Sequence, residues 1–332
     1  MKISQKAKSL YQDAIVIDGQ LAFEVDMPWD YSEKWDLLDR YAKAGFTAVT
    51  LSLANEETSM ERTLAYLAKI RKTIFSNPDK YILAKTKNDI IRAKKENKIA
   101  LRLMIQGTGF LGKNLDLLEL FHELGITSLL LAYNIRTSMG DGVIEENDGG
   151  LSHLGKKFIS EMNRLGMILD GSHAGFKTSM EALNLTKSPF VFSHSGVYEI
   201  APHVRNVRDE QIRAVARTGG VVGVNGLGLL LGDHHASLKK YAEHIDYITQ
   251  LVGAQYVAIG LDNLYFKEQF EKFMCSQNIT HPEAYASKTS HATTWNCLQP
   301  EDVISIVEVL LQRNYSESDI KGILGENILR IM

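Results

Sequence analysis

The chain has 332 residues, of which 45% are hydrophobic, and this composition is typical of a globular protein long enough to bury a large core. Its 37 basic and 40 acidic residues give a net charge of −3, which argues against nucleic acid as a partner. No apolar stretch follows the basic amino terminus, so we expect neither a secretory signal nor a membrane anchor. The two cysteines, Cys275 and Cys297, form no disulfide framework and favour a cytoplasmic location, with a single bridge between them as the alternative.

Short β-branched runs alternate with longer amphipathic stretches along the chain, and no linker rich in Pro or Gly interrupts them. The predicted strands are Ala14–Asp18, Thr47–Leu53, Ile99–Gln106, Ser128–Tyr133, Met167–His173, Phe190–His194, Val221–Asn225 and Tyr256–Asp262. Two of the intervening helices are predicted over residues 115–124 and 155–165, because each has one apolar face and is followed by a glycine. Residues 300–332 predict two further helices.

Eight strand–helix units predict a TIM-like (β/α)8 barrel, with residues 1–332 forming a single domain and the C-terminal helices packed on the barrel. The alternative is a doubly wound open sheet, which would need a glycine-rich phosphate loop after the first strand. Residues 18–23 do not provide such a loop. Residues 263–300 form a long irregular region, which contains Trp295, His281 and His291, and we expect it to act as a lid or a contact surface.

Polar residues stand at or just beyond the predicted strand ends, where barrel enzymes collect catalytic groups. These residues are Gln20, Gln106, Tyr133, Asn134, His173, His194, Asn225 and Asp262. Two histidines on successive strands favour a metal or acid–base site, and hydrogen-bonded core histidines are the alternative. The other histidines of the helices and loops are interpreted as surface residues, namely His122, His153, His234, His235 and His244.

Four segments resemble the membrane (renal) dipeptidase family and its bacterial relatives. Residues 149–173 and 189–195 are similar to the two stretches that carry metal-binding histidines in that family. The sequence Arg-Asn-Val at 205–207 resembles the motif whose arginine holds the substrate carboxylate, and residues 260–262 resemble a strand end with a catalytic aspartate. Similarity at the first strand and the last helix extends the resemblance over nearly the whole chain.

The resemblance implies a distorted (β/α)8 barrel, usually dimeric, that hydrolyses dipeptides with two zinc ions. It therefore implies a small-molecule substrate and a homodimer. Arg205 would bind the substrate carboxylate as a bidentate partner, through two nitrogens of its planar guanidinium. The candidate catalytic residues are Asp262, Tyr133 and Gln106, the candidate substrate contacts are Arg205, Tyr133 and Asn134, and the candidate metal ligands are His173 and His194.

The sequence departs from the family pattern at several of its metal-ligand positions. Gln20 and Ala22 replace the opening histidine and aspartate, Gln106 replaces the bridging glutamate, and Tyr133 replaces a substrate-contacting histidine. Two zinc ions carry four positive charges, and only one of three family carboxylates, Asp262, remains to neutralise them. We therefore expect at most one zinc per chain, held by His173, His194 and Asp262, or no metal at all. Glu24 and Asp26 are interpreted as exposed loop acids and not as substitute ligands.

Three functions fit these residues. The favoured one is a dipeptidase-type hydrolase that acts on a small amide with a free carboxylate and uses at most one metal. The second is a metal-independent isomerase or lyase in the same pocket, with Tyr133 and a histidine as acid and base. The third is a small-molecule-binding protein that has lost catalysis, because a fold alone does not determine a function.

Overall fold

The computed structural model describes residues 1–24, 30–264, 268 and 295–332. Asp26, Cys275, His281 and His291 lie outside the described residues, and most of the long irregular region lies there too. The strands are β1 Ile17–Ala22, β2 Ala48–Asn55, β3 Tyr81–Leu83, β4 Ile99–Gln106, β5 Ile126–Leu130, β6 Ile168–Asp170, β7 Phe190–Ser195, β8 Val221–Asn225 and β9 Val257–Gly260.

Eight of these strands pair in parallel, in the order β1-β2-β4-β5-β6-β7-β8-β9, and form a nearly closed barrel surrounded by helices. The predicted (β/α)8 fold is thus confirmed. The ninth strand, β3, was not predicted, because a three-residue strand is too short to show periodicity. It pairs with the amino-terminal end of β4, where Tyr81 lies opposite Ile99.

The helices lie between the strands, apart from the first one and those that follow β9. They are Gln5–Asp13, Tyr31–Lys43, Met60–Ser76, Lys87–Glu96, Leu117–Glu123, His153–Leu165, Phe176–Leu185, Asp209–Thr218, Gly228–Leu231, Leu238–Val252, Val303–Gln312, Glu317–Lys321 and Asn327–Arg330. The helix at 153–165 shows why these segments fold locally. The Ser152 hydroxyl accepts a hydrogen bond from Gly155 N, and Gly166 ends the helix in the left-handed conformation.

The barrel is closed between β1 and β9 by an acidic side chain. Asp18 Oδ1 accepts a hydrogen bond from Leu261 N at 2.9 Å, and Asp262 N donates to the Gln20 carbonyl at 3.1 Å. Gly19 is required there, because a Cβ at this position would lie 3.0 Å from the carbonyl oxygens of both Ser193 and Ile259. These contacts hold the mouth of the barrel in one arrangement at the place where the first and last strands meet.

The first strand lies three to four residues later than predicted, because Ala14 still caps the preceding helix. Gln20 and Ala22 therefore lie inside β1 and not beyond it. Among the described helices, none is long and apolar enough to cross a membrane.

Candidate active site at the carboxyl ends of the strands

His173 and His194 come together at the carboxyl-terminal edge of β6 and β7. Their Nε2 atoms are 3.0 Å apart, and both side chains are buried. The turn that carries His173 follows β6 and is fixed by Asp170, whose Oδ1 accepts hydrogen bonds from Ser172 N and from Ser193 N. One carboxylate therefore ties together the two chain segments that present the histidines.

The other ring nitrogen of each histidine has its own hydrogen-bond partner. His173 Nδ1 lies 2.7 Å from Asn134 Oδ1, and His194 Nδ1 lies 2.7 Å from Ser193 Oγ. An amide oxygen only accepts, so His173 Nδ1 carries the proton and its Nε2 presents a lone pair. The Tyr133 ring stacks on the His173 imidazole at a centroid distance of 4.2 Å. Asn134 and Tyr133 thus fix the rotation of His173.

Both imidazoles are held in the neutral form. Burial lowers the pKa of His173 and of His194 well below its usual range, and the nearby Arg205 guanidinium lowers both further. Neutral imidazoles serve either as metal ligands or as proton acceptors.

Arg205 is buried and lines a cavity of about 170 Å³ next to the histidine pair. His173 and Ser195 contribute to the same cavity, and Phe176 and Val204 form exposed apolar parts of its lining. The Ser195 hydroxyl is buried and has no hydrogen-bond partner among the described residues. A guanidinium beside an unpaired hydroxyl in a small cavity is suited to a carboxylate.

Asp262 is partly buried at the end of β9, with a left-handed φ of 51°. Its Oδ2 accepts a hydrogen bond from Asn225 Nδ2 at 3.2 Å. Burial raises the pKa of the Asp262 carboxyl, while the Asn225 hydrogen bond and the Arg205 charge lower it. The described residues contain no group of three His, Cys, Asp or Glu side chains placed to hold a metal.

Gln20 and Gln106 lie beside a residue that sequence reasoning missed. Glu24 was interpreted as an exposed loop acid, and that interpretation is wrong, because only 2% of the residue is exposed. Its Oε1 accepts hydrogen bonds from Ser52 Oγ and from Gln106 Nε2, and Gln20 Nε2 also donates to Ser52. Burial raises the pKa of Glu24 to about 7, despite these hydrogen bonds.

The segment before Glu24 gave a signal for its burial. Leu21 and Ala22 end β1 and Phe23 follows it, so an apolar run leads directly to the acid. Lys34 Nζ then donates to the Glu24 main-chain carbonyl and fixes the chain at that point. An acid directly after a buried strand is placed like the other candidate site residues, and the same rule would have included it.

Ala22 lies opposite Ser52 in the pairing of β1 with β2, but its side chain has apolar neighbours. It packs in an apolar cluster with Leu227, Leu230, Leu264 and Trp295. The position that carries an aspartate in the family pattern is therefore surrounded by hydrophobic side chains. A charged group at this position would be costly to bury.

One further interpretation from the sequence is wrong. His244 was interpreted as a surface residue, but it is fully buried. Its Nδ1 accepts a hydrogen bond from Val197 N, and its Nε2 lies 3.3 Å from the Leu231 carbonyl. His244 is thus a core histidine with both nitrogens satisfied. A polar residue can lie on the buried face of an amphipathic helix when its polar atoms have hydrogen-bond partners, as those of His244 do.

Residues 4–280 match the family model described as membrane dipeptidase (peptidase family M19). Among curated proteins, the chain is 28% identical to dipeptidase aclJ of Aspergillus oryzae over 71% of its own length and 51% of that protein. It is 30% identical to an uncharacterised dipeptidase of Schizosaccharomyces pombe over 74% of its length and 55% of that protein. The chain thus spans about half the length of these curated relatives.

Solved structures share the fold over nearly the whole chain. An amidohydrolase from Pseudomonas aeruginosa superposes with a TM-score of 0.86 at 29% identity, covering 98% of this chain and 97% of its own. A metallo peptidase from Rhodobacter sphaeroides, liganded with a phosphinate mimic of L-Ala-D-Ala, superposes with a TM-score of 0.79 at 18% identity, covering 96% of this chain and 99% of its own. At that lower identity, the similarity shows the fold alone.

Proposed function

Because the chain belongs to the membrane dipeptidase family (peptidase family M19), we propose that it hydrolyses a dipeptide or a similar small amide with a free carboxylate. One observation carries this proposal. The Nε2 atoms of His173 and His194 converge at 3.0 Å, and His173 lines the same cavity as the buried Arg205. A substrate whose carboxylate is held by Arg205 would thus present its amide to the histidine pair.

The two histidines fit one metal ion. Two nitrogen ligands of a tetrahedral zinc ion lie about 3.3 Å apart, slightly more than the distance between the two Nε2 atoms. Their Nδ1 atoms are held by Asn134 and Ser193, as is usual for metal-binding histidines. A zinc ion held by His173 and His194 would supply Lewis-acid polarisation of the scissile carbonyl.

A second metal does not fit the residues present. Positions 20 and 106 carry neutral amides, and position 22 carries a methyl group in an apolar cluster. Glu24 is the one acid hydrogen-bonded to Gln106 among the described residues, so a second zinc ion there would have a single carboxylate to offset its two positive charges. We therefore propose at most one zinc per chain.

The residues of the chain supply the other steps. Arg205 binds and orients the carboxylate, and Tyr133 and Asn134 hold His173 in place. We assign the proton transfers to Asp262, because burial raises its pKa towards the range in which a carboxyl both accepts and donates protons. Gln106 offers a neutral hydrogen-bonding group to the substrate.

The test combines a panel of dipeptides with elemental analysis of protein purified without chelator. We expect hydrolysis of dipeptides with a free carboxylate, none of their C-terminal amides, and no more than one zinc per chain. Arg205→Lys should raise the KM at least tenfold, because an ammonium cannot replace the two-point guanidinium contact. Arg208→Lys is the matched control, since Arg208 is an exposed lining residue of the same cavity that stacks on Tyr198.

The other outcomes identify the alternatives. Two zinc ions per chain would refute the charge argument. Turnover that is insensitive to chelators and leaves the amide intact would favour an isomerase or a lyase. Tight binding of a small carboxylate without turnover of any compound would favour a binding protein.

A further inference from the structure

Three buried side chains at the barrel mouth end in oxygen atoms that accept no hydrogen bond within the described part of the chain. These atoms are Gln20 Oε1, Glu24 Oε2 and Gln106 Oε1. The three residues are 0%, 2% and 4% exposed, so their oxygens are shielded from bulk solvent. We call these three residues the oxygen cage.

Ser52 explains why the oxygens are left without donors. Its hydroxyl donates its one proton to Glu24 Oε1 and accepts hydrogen bonds from Gln20 Nε2 at 2.9 Å and Gln106 Nε2 at 3.1 Å. Gln106 Nε2 uses its second proton on Glu24 Oε1. Both amide groups therefore turn their nitrogens towards Ser52, which leaves their oxygens without a donor from within the cluster.

The negative charge of the oxygen cage and its three oxygens without a hydrogen-bond donor indicate which ligand it would bind. It contains one carboxylate and two neutral oxygens, so it matches a ligand with one positive charge and several N–H donors. A primary ammonium group has one charge and three donors. Calcium usually takes about six to eight oxygen ligands and magnesium about six in octahedral geometry, more than the three oxygens of the oxygen cage. We propose that the oxygen cage binds the primary ammonium group of the substrate.

The position of the oxygen cage agrees with this role. Gln20 accepts a hydrogen bond from Asp262 N through its main-chain carbonyl, so the oxygen cage adjoins the strand end that carries Asp262. An ammonium group in the oxygen cage would therefore lie near the carboxyl to which the proton transfers are assigned. This inference rests on the proposed function, and it specifies that the substrate keeps a free amino group.

The experiment measures binding directly and needs no turnover. The 332-residue chain is labelled with ¹⁵N at glutamine, and the side-chain amide resonances of Gln20 and Gln106 are followed at pH 8, where Glu24 is ionised, while ethylammonium chloride is added. Tetramethylammonium chloride is the matched probe, because it has the same charge and no N–H donor. We expect both resonances to shift with ethylammonium and to stay in place with tetramethylammonium.

A variant pair then tests the carboxylate. Glu24→Gln keeps the shape and removes the charge, so ethylammonium binding should weaken about 10- to 100-fold, the loss expected for a charge-assisted hydrogen bond. Glu56→Gln is the matched control, because Glu56 is an acid whose carboxylate accepts a hydrogen bond from Thr108 N. It should bind like the wild type.

Three results would overturn the proposal: equal shifts with both ammonium probes, unchanged binding in Glu24→Gln, or shifts produced by magnesium or calcium chloride and not by ethylammonium. Since dipeptide hydrolysis is measured separately, its failure is distinguishable from failure of the oxygen cage. A protein that binds ethylammonium at Gln20 and Gln106 without hydrolysing any amide would keep this inference and lose the proposed function.

Discussion

Gln106 donates a hydrogen bond from Nε2 to Glu24 Oε1 at 2.6 Å. This contact joins the last residue of β4 to the acid that follows β1, and it puts a neutral donor where the family pattern has a bridging carboxylate. The two residues depend on each other, because Glu24 needs a donor and Gln106 supplies one. A change at either residue should therefore alter the stability of the protein in a way that depends on charge.

The variant Gln106→Glu should destabilise the protein in the absence of divalent cations. It would place a second carboxylate at hydrogen-bond distance from Glu24, and like charges in a buried site oppose each other. We expect the free energy of unfolding at pH 8 to fall by about 1–3 kcal/mol. Adding zinc or calcium should restore part of the loss by neutralising the pair, and urea denaturation with and without the cation measures both effects.

The same substitution at an exposed position is the control. Gln12→Glu, in the first helix, should change the stability little with or without divalent cations. An unchanged unfolding free energy in Gln106→Glu without cations would contradict the contact between positions 24 and 106.

The stability difference between Glu24→Gln and the wild type should depend on pH. Burial raises the pKa of Glu24 from 4.5 to about 7, so the folded state keeps a proton that the unfolded state loses. The wild-type contribution is therefore fully present below pH 4.5 and declines as the pH rises to about 7. Relative to the wild type, the variant should gain about 3 kcal/mol between pH 4.5 and pH 8.

Urea denaturation of both proteins at pH 4.5, 6 and 8 measures this difference. Glu57→Gln, which removes a negative charge from an exposed neighbouring segment, controls for the change in net charge. A stability difference that stays constant over this range would show that Glu24 titrates normally and is not buried as described.

The barrel could be predicted from the sequence because its strands are apolar, separate and regularly spaced. Each of the eight predicted runs corresponds to a strand, and the helix at 153–165 ends at the predicted glycine. The strand ends were less predictable. β1 begins at Ile17 and not at Ala14. The residues between the helix cap and the strand are also apolar, so the sequence does not show where the strand begins.

The polar network of the mouth could not be predicted, because it depends on contacts across strands. Ser52 contacts Gln20, Glu24 and Gln106, and the sequence does not show which inward-facing residues of β1, β2 and β4 meet. The pairing of His173 with Asn134 likewise requires a left-handed turn at both residues, which no local pattern shows.

Replacing Arg205 by methionine should raise the pKa of His173 and of His194. The guanidinium opposes protonation of both imidazoles, so its removal relieves that repulsion. Burial is the larger cause of the depressed pKa values and remains in the variant, so both should stay below 6.5. Two-dimensional ¹H–¹⁵N NMR of the imidazoles as a function of pH measures the change.

Arg208→Met serves as the control for this titration. Arg208 lines the same cavity, but its guanidinium stacks on the Tyr198 ring and does not contribute to the pKa shift of either histidine. Its removal should leave both histidine titrations unchanged. If the two arginine variants shift them equally, the assignment of Arg205 to the histidine pair is wrong.

Asp18 joins the first and last strands of the barrel. Its carboxylate accepts hydrogen bonds from Leu261 N, Gln20 N and the Tyr41 hydroxyl. Asp18→Leu has a similar shape and leaves all three donors buried without an acceptor, so we expect a loss of about 3–9 kcal/mol, because each unpaired donor costs about 1–3 kcal/mol. Asp18→Asn keeps one oxygen for the two amides and should lose only about 1 kcal/mol.

We call the contact between β1 and β9 the seam. Hydrogen exchange distinguishes local opening of the seam from a loss of global stability. In Asp18→Leu, the amide of Leu261 should lose more protection than amides in β5 and β6, which lie on the far side of the barrel from the contact between β1 and β9. Equal loss at all strands would show that Asp18 contributes to global stability without closing the barrel. Because Gln20 and Asp262 lie on the two sides of this seam, its opening should also weaken ethylammonium binding at Gln20.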